Sequence, residues 1–219
     1  MNRRGLLVGL GGVALVRPAG ACTGRSWLFR VEREGRDIGR HRIALHPSAE
    51  GLEVRVEIDL AVRLGFLTLY RYTHDNREVW KNGRFTGFES RTDDNGRRFR
   101  VTCARDAAGF AIESSEGLFR APPGAVATTY WHRAFTRSSV WIDSMSGHPR
   151  RIVCRPRSEA APYAPGCATG LMAFTVSGDL ALDLAYAGER LAGLGFVVGG
   201  ARITYVPEEI PAFVPHIEV

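Results

Sequence analysis

From Trp27 onward, apolar and polar residues alternate along the chain with a period of two. The clearest run is Leu52 to Val62. Leu52, Val54, Val56, Ile58, Leu60 and Val62 fall on one side of it, and Glu53, Arg55, Glu57 and Asp59 on the other. A strand sends successive side chains to opposite faces, so this run is dry on one face and wetted on the other. One-sided burial belongs to antiparallel sheets, whereas parallel strands are covered on both faces and read as continuous apolar runs.

Turn chemistry interrupts the alternation every ~8–12 residues, the rhythm of an all-β chain. Examples are Glu34-Gly35, Glu50-Gly51, Asn82-Gly83, Asn95-Gly96, Ala108-Gly109, Ser146-Gly147, Gly178-Asp179 and Gly199-Gly200. Asn-Gly favours two-residue hairpins because both residues tolerate positive φ. About a dozen strands are expected, joined mostly by hairpins, and no long helical stripe competes with them. The predicted fold is all-β: an antiparallel meander forming a strongly curved sheet or open β-barrel, with little or no helix in the mature chain. Residues 156–170 form the longest irregular stretch. Prolines at 207, 211 and 215 predict an extended, weakly structured tail over 207–219.

The first 21 residues break the pattern. Arg3 and Arg4 precede the apolar, glycine-diluted run Gly5–Val16, and Ala19-Gly20-Ala21 supplies a small-x-small cleavage site before Cys22. Twelve apolar residues are too few to span a bilayer, which takes about 20. The segment reads as a signal peptide, and Arg3-Arg4-Gly5-Leu6-Leu7 resembles a twin-arginine signal. The expectation is a periplasmic or otherwise exported protein with a single β domain over 22–206. Cys22 stands where a lipoprotein would be acylated, so a lipid anchor in the envelope is the alternative, and the membrane enters only there.

The chain carries 29 basic and 23 acidic residues, a formal net charge of +6. Losing Arg3, Arg4 and Arg17 with the signal leaves 26 against 23, and no run of five basic residues remains. Nucleic-acid binding normally shows a clustered basic patch, so that class is disfavoured. Lys81 is the only lysine. Coding bias toward arginine accounts for that better than selection for anion recognition. The four cysteines, Cys22, Cys103, Cys154 and Cys167, contain no C-x-x-C pair, which argues against zinc or thioredoxin-like chemistry. In an oxidising compartment Cys154 and Cys167 are candidate disulfide partners, worth on the order of 3 kcal/mol by chain entropy.

Two segments concentrate reactive side chains. On a strand, Tyr70, Tyr72, His74, Asn76, Glu78 and Trp80 share one face. His74 and Glu78 then stand about 13 Å apart, too far for a direct dyad. In the second segment Tyr130 and His132 share a face and Trp131 points away. His74, Glu78 and His132 are the candidate acid–base residues. Tyr70, Tyr72, His74, Glu78, Trp80 and Tyr130 are the candidate ligand-binding residues. His41 and His46 are separated by an odd number and should face opposite ways. No metal spacing, nucleophile elbow or phosphate loop occurs, so no metal and no cofactor is expected.

Phe29-Arg30-Val31, Gly35, Ile38-Gly39-Arg40-His41, Tyr70-Arg71-Tyr72, His74, Glu78, Trp80 and Thr92-Asp93-Asp94-Asn95-Gly96, in that order, resemble the bacterial domain-of-unknown-function family 6134. Tyr130-Trp131 and Leu180–Tyr186 continue the likeness, which covers roughly residues 27–206. The resemblance implies an exported all-β protein and assigns no catalytic residue. Ala185-Tyr186 departs from the family's Trp-Tyr, a change that would leave space or alter a ligand-facing wall. The leading expectation is a module that binds an apolar or amphipathic, lipid-like small molecule in its concave face. The alternatives are a small-molecule enzyme using His/Glu chemistry in the same cavity, and a structural or partner-binding envelope protein. The sequence sets no oligomeric state.

Overall fold

A computed structural model describes residues 25–158 and 170–219. The segment 1–21, Cys22 and Cys167 lie outside the described residues. Fifteen strands form one sheet, more than the dozen expected. They are β1 (Ser26–Arg33), β2 (Arg36–Ser48), β3 (Gly51–Leu64), β4 (Leu67–Lys81), β5 (Arg84–Asp94), β6 (Arg97–Asp106), β7 (Gly109–Ser114), β8 (Gly117–Ala121), β9 (Val126–Ala127), β10 (Val140–Ile142), β11 (Pro149–Arg157), β12 (Leu171–Gly178), β13 (Leu182–Ala187), β14 (Arg190–Val198) and β15 (Ala201–Glu209). A one-turn 3-10 helix, Arg133–Arg137, is the only helix among the described residues.

The sheet order is β8-β7-β6-β5-β4-β3-β2-β1-β15-β14-β13-β12-β11-β10-β9, and every pair is antiparallel except β9 with β10. Apart from β8 and β9, strands consecutive in sequence are neighbours in the sheet, and β1 pairs with β15, so the first and last strands meet in the middle of the sheet order. The one open seam lies between β8 and β9, which follow each other in the chain but do not pair. Pro122 and Pro123 between them offer no amide hydrogen, and β9 is two residues long, so the seam has little to zip with. The sheet is thus a curled, unclosed barrel.

Tight turns and glycine kinks set the curvature. Asn82-Gly83 has φ of 51° and 74°, and Asn95-Gly96 has 52° and 92°, the double positive φ of primed hairpin turns. Gly39 has φ of 143°, and a Cβ there would sit 2.0 Å from the Asp59 carbonyl oxygen. The neighbouring register shift between Val31 and Glu32 bends β1 and β2 together.

Inward-facing residues stack in layers along the barrel axis. At the base, Trp27, Trp80, Trp131, Phe85, Phe110, Phe135 and Trp141 are essentially fully buried. Trp80 stacks on Phe135 at 5.8 Å and meets Trp131 edge-on at 5.5 Å. The indole N–H groups of Trp27 and Trp141 donate to the carbonyl oxygens of Leu191 (2.9 Å) and Phe135 (3.1 Å), as buried indoles require.

Strand alternation fails over residues 128–132. This segment is not a strand; it crosses the interior, where Trp131 and His132 are both buried and Tyr130 adopts φ of 59°. Sheet surrounds it on several sides, so parity no longer sorts buried from exposed. The tail is extended, as its prolines dictate, but it is packed rather than loose. Strand β15 runs to Glu209, and Ile210, Val214 and Ile217 are buried. Glu218 donates its amide to the Gly83 carbonyl oxygen at 2.8 Å.

Candidate functional site

The register of β2, β3, β4 and β5 places the candidate residues in successive rows from base to mouth. Leu45, Val54, Glu78 and Phe88 form one row; Ile43, Val56, Asn76 and Ser90 the next; His41, Ile58, His74 and Thr92 the third. Leu60 and Tyr72 follow, and Val62 and Tyr70 end the series at the rim. One face of β4 therefore grades from an aromatic base through a polar belt to an apolar mouth.

Glu78 is fully buried and holds three donors: the Thr129 hydroxyl, the Trp80 indole at 2.9 Å and the Trp131 indole at 3.1 Å. Burial pushes its carboxyl above the ordinary range, against the pull of those hydrogen bonds. It ties β4 to the crossing segment 128–132. His74, two rows higher, shares hydrogen bonds with Thr92 Oγ1 (2.8 Å) and Ser144 Oγ (3.3 Å), and burial holds its imidazole down to about 4. His132 accepts the Ala134 amide on Nδ1 at 3.0 Å, which caps the 3-10 turn, and burial lowers it to about 4. No hydrogen bond or ion pair joins any two of His74, Glu78 and His132. Glu78 and His74 tie β4 to the segments that carry Thr129, Trp131 and Ser144, whereas His132 caps its own turn, lies 3.7 Å from the Glu189 carboxylate and leaves Nε2 without a hydrogen-bond partner among the described residues.

His41 and Asn76 carry no predicted role, yet both lie in the interior. His41 makes no hydrogen bond with a described residue; it packs against Phe29 (5.9 Å) and Tyr205 (5.4 Å). Burial, and the neighbouring His74, hold it down to about 3. Neither amide atom of Asn76 has a partner among the described residues. The alternation that placed Asn76 beside His74 was the signal available for it. His41 faces inward and His46 outward, as their odd spacing requires.

Above the belt a cavity of about 790 Å³ opens at the mouth. Its wall is largely apolar: Ile58, Leu60, Val62, Phe196, Ile203 and Tyr205, with Tyr72 opposite. Tyr72 stacks on His74 at 6.3 Å and Tyr205 packs on His41, so these two tyrosines separate the cavity from the histidines beneath. Charged groups are confined to the rim, where Arg33 stands free and the Tyr70 hydroxyl donates to Asp94 at 2.7 Å. Among the candidate ligand-binding residues, Tyr70 and Tyr72 line this cavity, His74 lies one row below, and Glu78, Trp80 and Tyr130 sit deeper. Ala185 is buried away from it, so the departure from Trp at that position leaves the mouth unchanged.

Cys103 is buried and its thiol is pushed up to about 12, as a small apolar core residue would be. The proposed partner of Cys154 lies outside the described residues.

No curated protein matches the chain by sequence. Among solved structures, it is similar to a beta-barrel-like protein of the domain of unknown function DUF1849 from Brucella abortus. The TM-score is 0.57 at 10% identity, over 90% of this chain and 100% of that one. A likeness at that identity speaks to the fold alone. The sequence profile of the family described as domain of unknown function DUF6134 matches residues 29–208, and the chain belongs to that family.

Proposed function

We propose that this protein binds an apolar or amphipathic, lipid-like small molecule in the mouth of its curled barrel. The observation that carries this reading is the cavity of about 790 Å³, walled by Ile58, Leu60, Val62, Phe196, Ile203 and two tyrosines, with its charged groups at the rim. Sites for small ligands typically occupy ~300–1,000 Å³, are mostly apolar and use a few polar groups for orientation. Export supports the reading, since the segment 1–21 would deliver the domain to the cell envelope, where such molecules are abundant. There it is either soluble or held by an acyl chain on Cys22.

The acid–base alternative draws less support, because His74, Glu78 and His132 are each engaged by separate structural partners. Two measurements test the proposal. Native mass spectrometry of the processed protein purified from its own envelope should show an adduct that organic extraction releases, and its mass also reports lipidation. In solution, a fluorescent fatty acid should bind, and Val62→Trp, which fills the mouth from a half-buried rim position, should weaken it about tenfold or more without lowering the melting temperature. Adduct-free protein with no fatty-acid binding, or unaltered binding in Val62→Trp, refutes the proposal.

A further inference from the structure

Strands β3 and β4 outrun their neighbours. Pairing of β2 with β3 ends at Gly39 and Leu60, and pairing of β4 with β5 ends at Tyr72 and Asp94, but β3 and β4 stay paired out to Leu64 and Leu67. The β3–β4 hairpin therefore runs on as a two-stranded ribbon about 13 Å past the Leu60–Tyr72 row at ~3.3 Å per residue, its root still lining the cavity mouth through Val62, Leu69 and Tyr70 and its tip at residues 63–68 clear of the sheet. An exposed ribbon is expected to be polar on both faces. This one carries Leu64, Leu67 and Leu69 more than half exposed and Phe66 wholly exposed at its tip. On the same end, Val197 and Val198 are also exposed beside the β14–β15 turn.

Arginines ring the root of the ribbon. A cleft of about 600 Å³ on its outer side is lined by Arg33, Arg36, Arg40 and Arg63, together with Asp37 and Asp59. Asp37 is taken by Arg40 at 2.8 Å and Asp59 by Arg71 at 3.5 Å. Arg33, Arg36 and Arg63 then form no ion pair among the described residues. The other acids at this end are also engaged: Asp94 by the Tyr70 hydroxyl, and Glu34 by the Arg202 amide. The pattern is an apolar tip standing above a collar of uncommitted guanidinium groups.

We propose that the β3–β4 ribbon docks the protein on an anionic lipid bilayer, with Leu64, Phe66, Leu67 and Leu69 entering the acyl region while Arg33, Arg36 and Arg63 meet the phosphates. The dimensions fit, since interfacial elements bury their apolar part ~5–10 Å into the headgroup and acyl boundary. A protein partner fits less well. A standard interface takes roughly 20–30 residues a side, and a ribbon two strands wide with exposed side chains on both faces offers no such patch. Val62, Leu69, Tyr70 and Val198 line the cavity mouth, so a docked protein would hold that mouth against the membrane. The inference rests on the lipid-binding reading for its purpose, though the docking is independent of any acyl chain on Cys22.

The test is flotation of the processed protein, prepared without an acyl chain, on vesicles of phosphatidylcholine alone or with one quarter phosphatidylglycerol. The protein should float with the anionic vesicles and be released at about 1 M salt, where the screening length falls to ~3 Å. Phe66→Ser with Leu67→Ser should weaken flotation about tenfold or more. Replacing Arg33, Arg36 and Arg63 with Gln should remove roughly a hundredfold of the preference for anionic vesicles. Both variants should melt with the wild type, because the side chains are exposed. Absence of flotation, equal binding to neutral vesicles, or wild-type flotation by the serine variant overturns the inference. So does a dimer that dissociates in that variant without flotation. The serine variant should keep fatty-acid binding in solution. Flotation without fatty-acid binding would sink the cavity reading and leave the docking; fatty-acid binding without flotation would do the reverse.

Discussion

Glu78 offers a sharp test of how the barrel interior is held together. Its carboxylate accepts from Thr129, Trp80 and Trp131 while fully buried. Glu78→Leu keeps the volume but orphans two indole N–H groups that no water can reach. Each buried donor left unsatisfied costs about 1–3 kcal/mol, so the loss should be about 2–6 kcal/mol, a large share of the stability of an ordinary domain. Glu78→Gln behaves differently. Its amide oxygen can accept from both indoles and its NH2 group can donate to Thr129, whose hydroxyl turns from donor to acceptor. Charge is the main difference that remains. Because burial raises the Glu78 carboxyl above its ordinary range, the folded protein keeps that proton at pH values where the unfolded chain has lost it. The stability tied to that proton is full below the unfolded carboxyl value and declines as pH rises through the folded one, by at most ~1.4 kcal/mol per pH unit. Urea unfolding followed by tryptophan fluorescence, repeated across pH for wild type and both variants, measures each quantity. Glu78→Gln should gain on the wild type as pH rises above the carboxylate range. A pH-independent difference between the two, or a Glu78→Leu protein as stable as the wild type, would refute the account.

His41 and His74 have the opposite sign. Both are held below the ordinary imidazole value, to about 3 and about 4, so the unfolded chain takes up protons first as pH falls below ~6.5. His41→Phe, which loses no hydrogen bond, should therefore flatten the fall in melting temperature between about pH 6.5 and 4; parallel curves would count against it. Gly39→Ala places a Cβ 2.0 Å from the Asp59 carbonyl oxygen in a conformation alanine resists. It should cost more than the ~1–3 kcal/mol of backbone strain alone, read as a drop in the urea midpoint. Truncation after Glu209 removes Ile210, Val214 and Ile217 from the core; at about 1.5–3 kcal/mol each it should cost roughly 4–9 kcal/mol, an upper bound. Unchanged calorimetric melting would show the tail to be dispensable.

Much of β4 was legible because parity along a strand is covalent geometry. Tyr70, Tyr72, His74, Asn76, Glu78 and Trp80 share a face in the structure as their spacing requires. What each meets was not legible. Glu78 finds Thr129 and Trp131, 51 and 53 residues downstream, on a segment that is no regular strand and meets β14 through a single bridge, His132 with Arg190. His74 finds Ser144 70 residues away. Residues 128–132 misled the alternation rule because their burial comes from being surrounded, and surrounding is not a property of local spacing. The tail misled composition in a similar way. Its prolines dictate extension, but docking depends on whether a groove exists, and that groove is built from the β2–β3 and β4–β5 turns, Trp80 and Arg190 of β14.

The sequence by itself determined which residues form strands, where the hairpins turn and which side of each strand is dry, because backbone sterics and a two-residue repeat act within a few residues of one another. Tertiary structure alone decided that β1 meets β15, that the seam falls between β8 and β9, that aromatic residues close one end while the other stays open, and that an apolar ribbon stands beside the opening. Those outcomes depend on twist and register accumulated over fifteen strands and on contacts between residues more than a hundred positions apart, which no local pattern encodes.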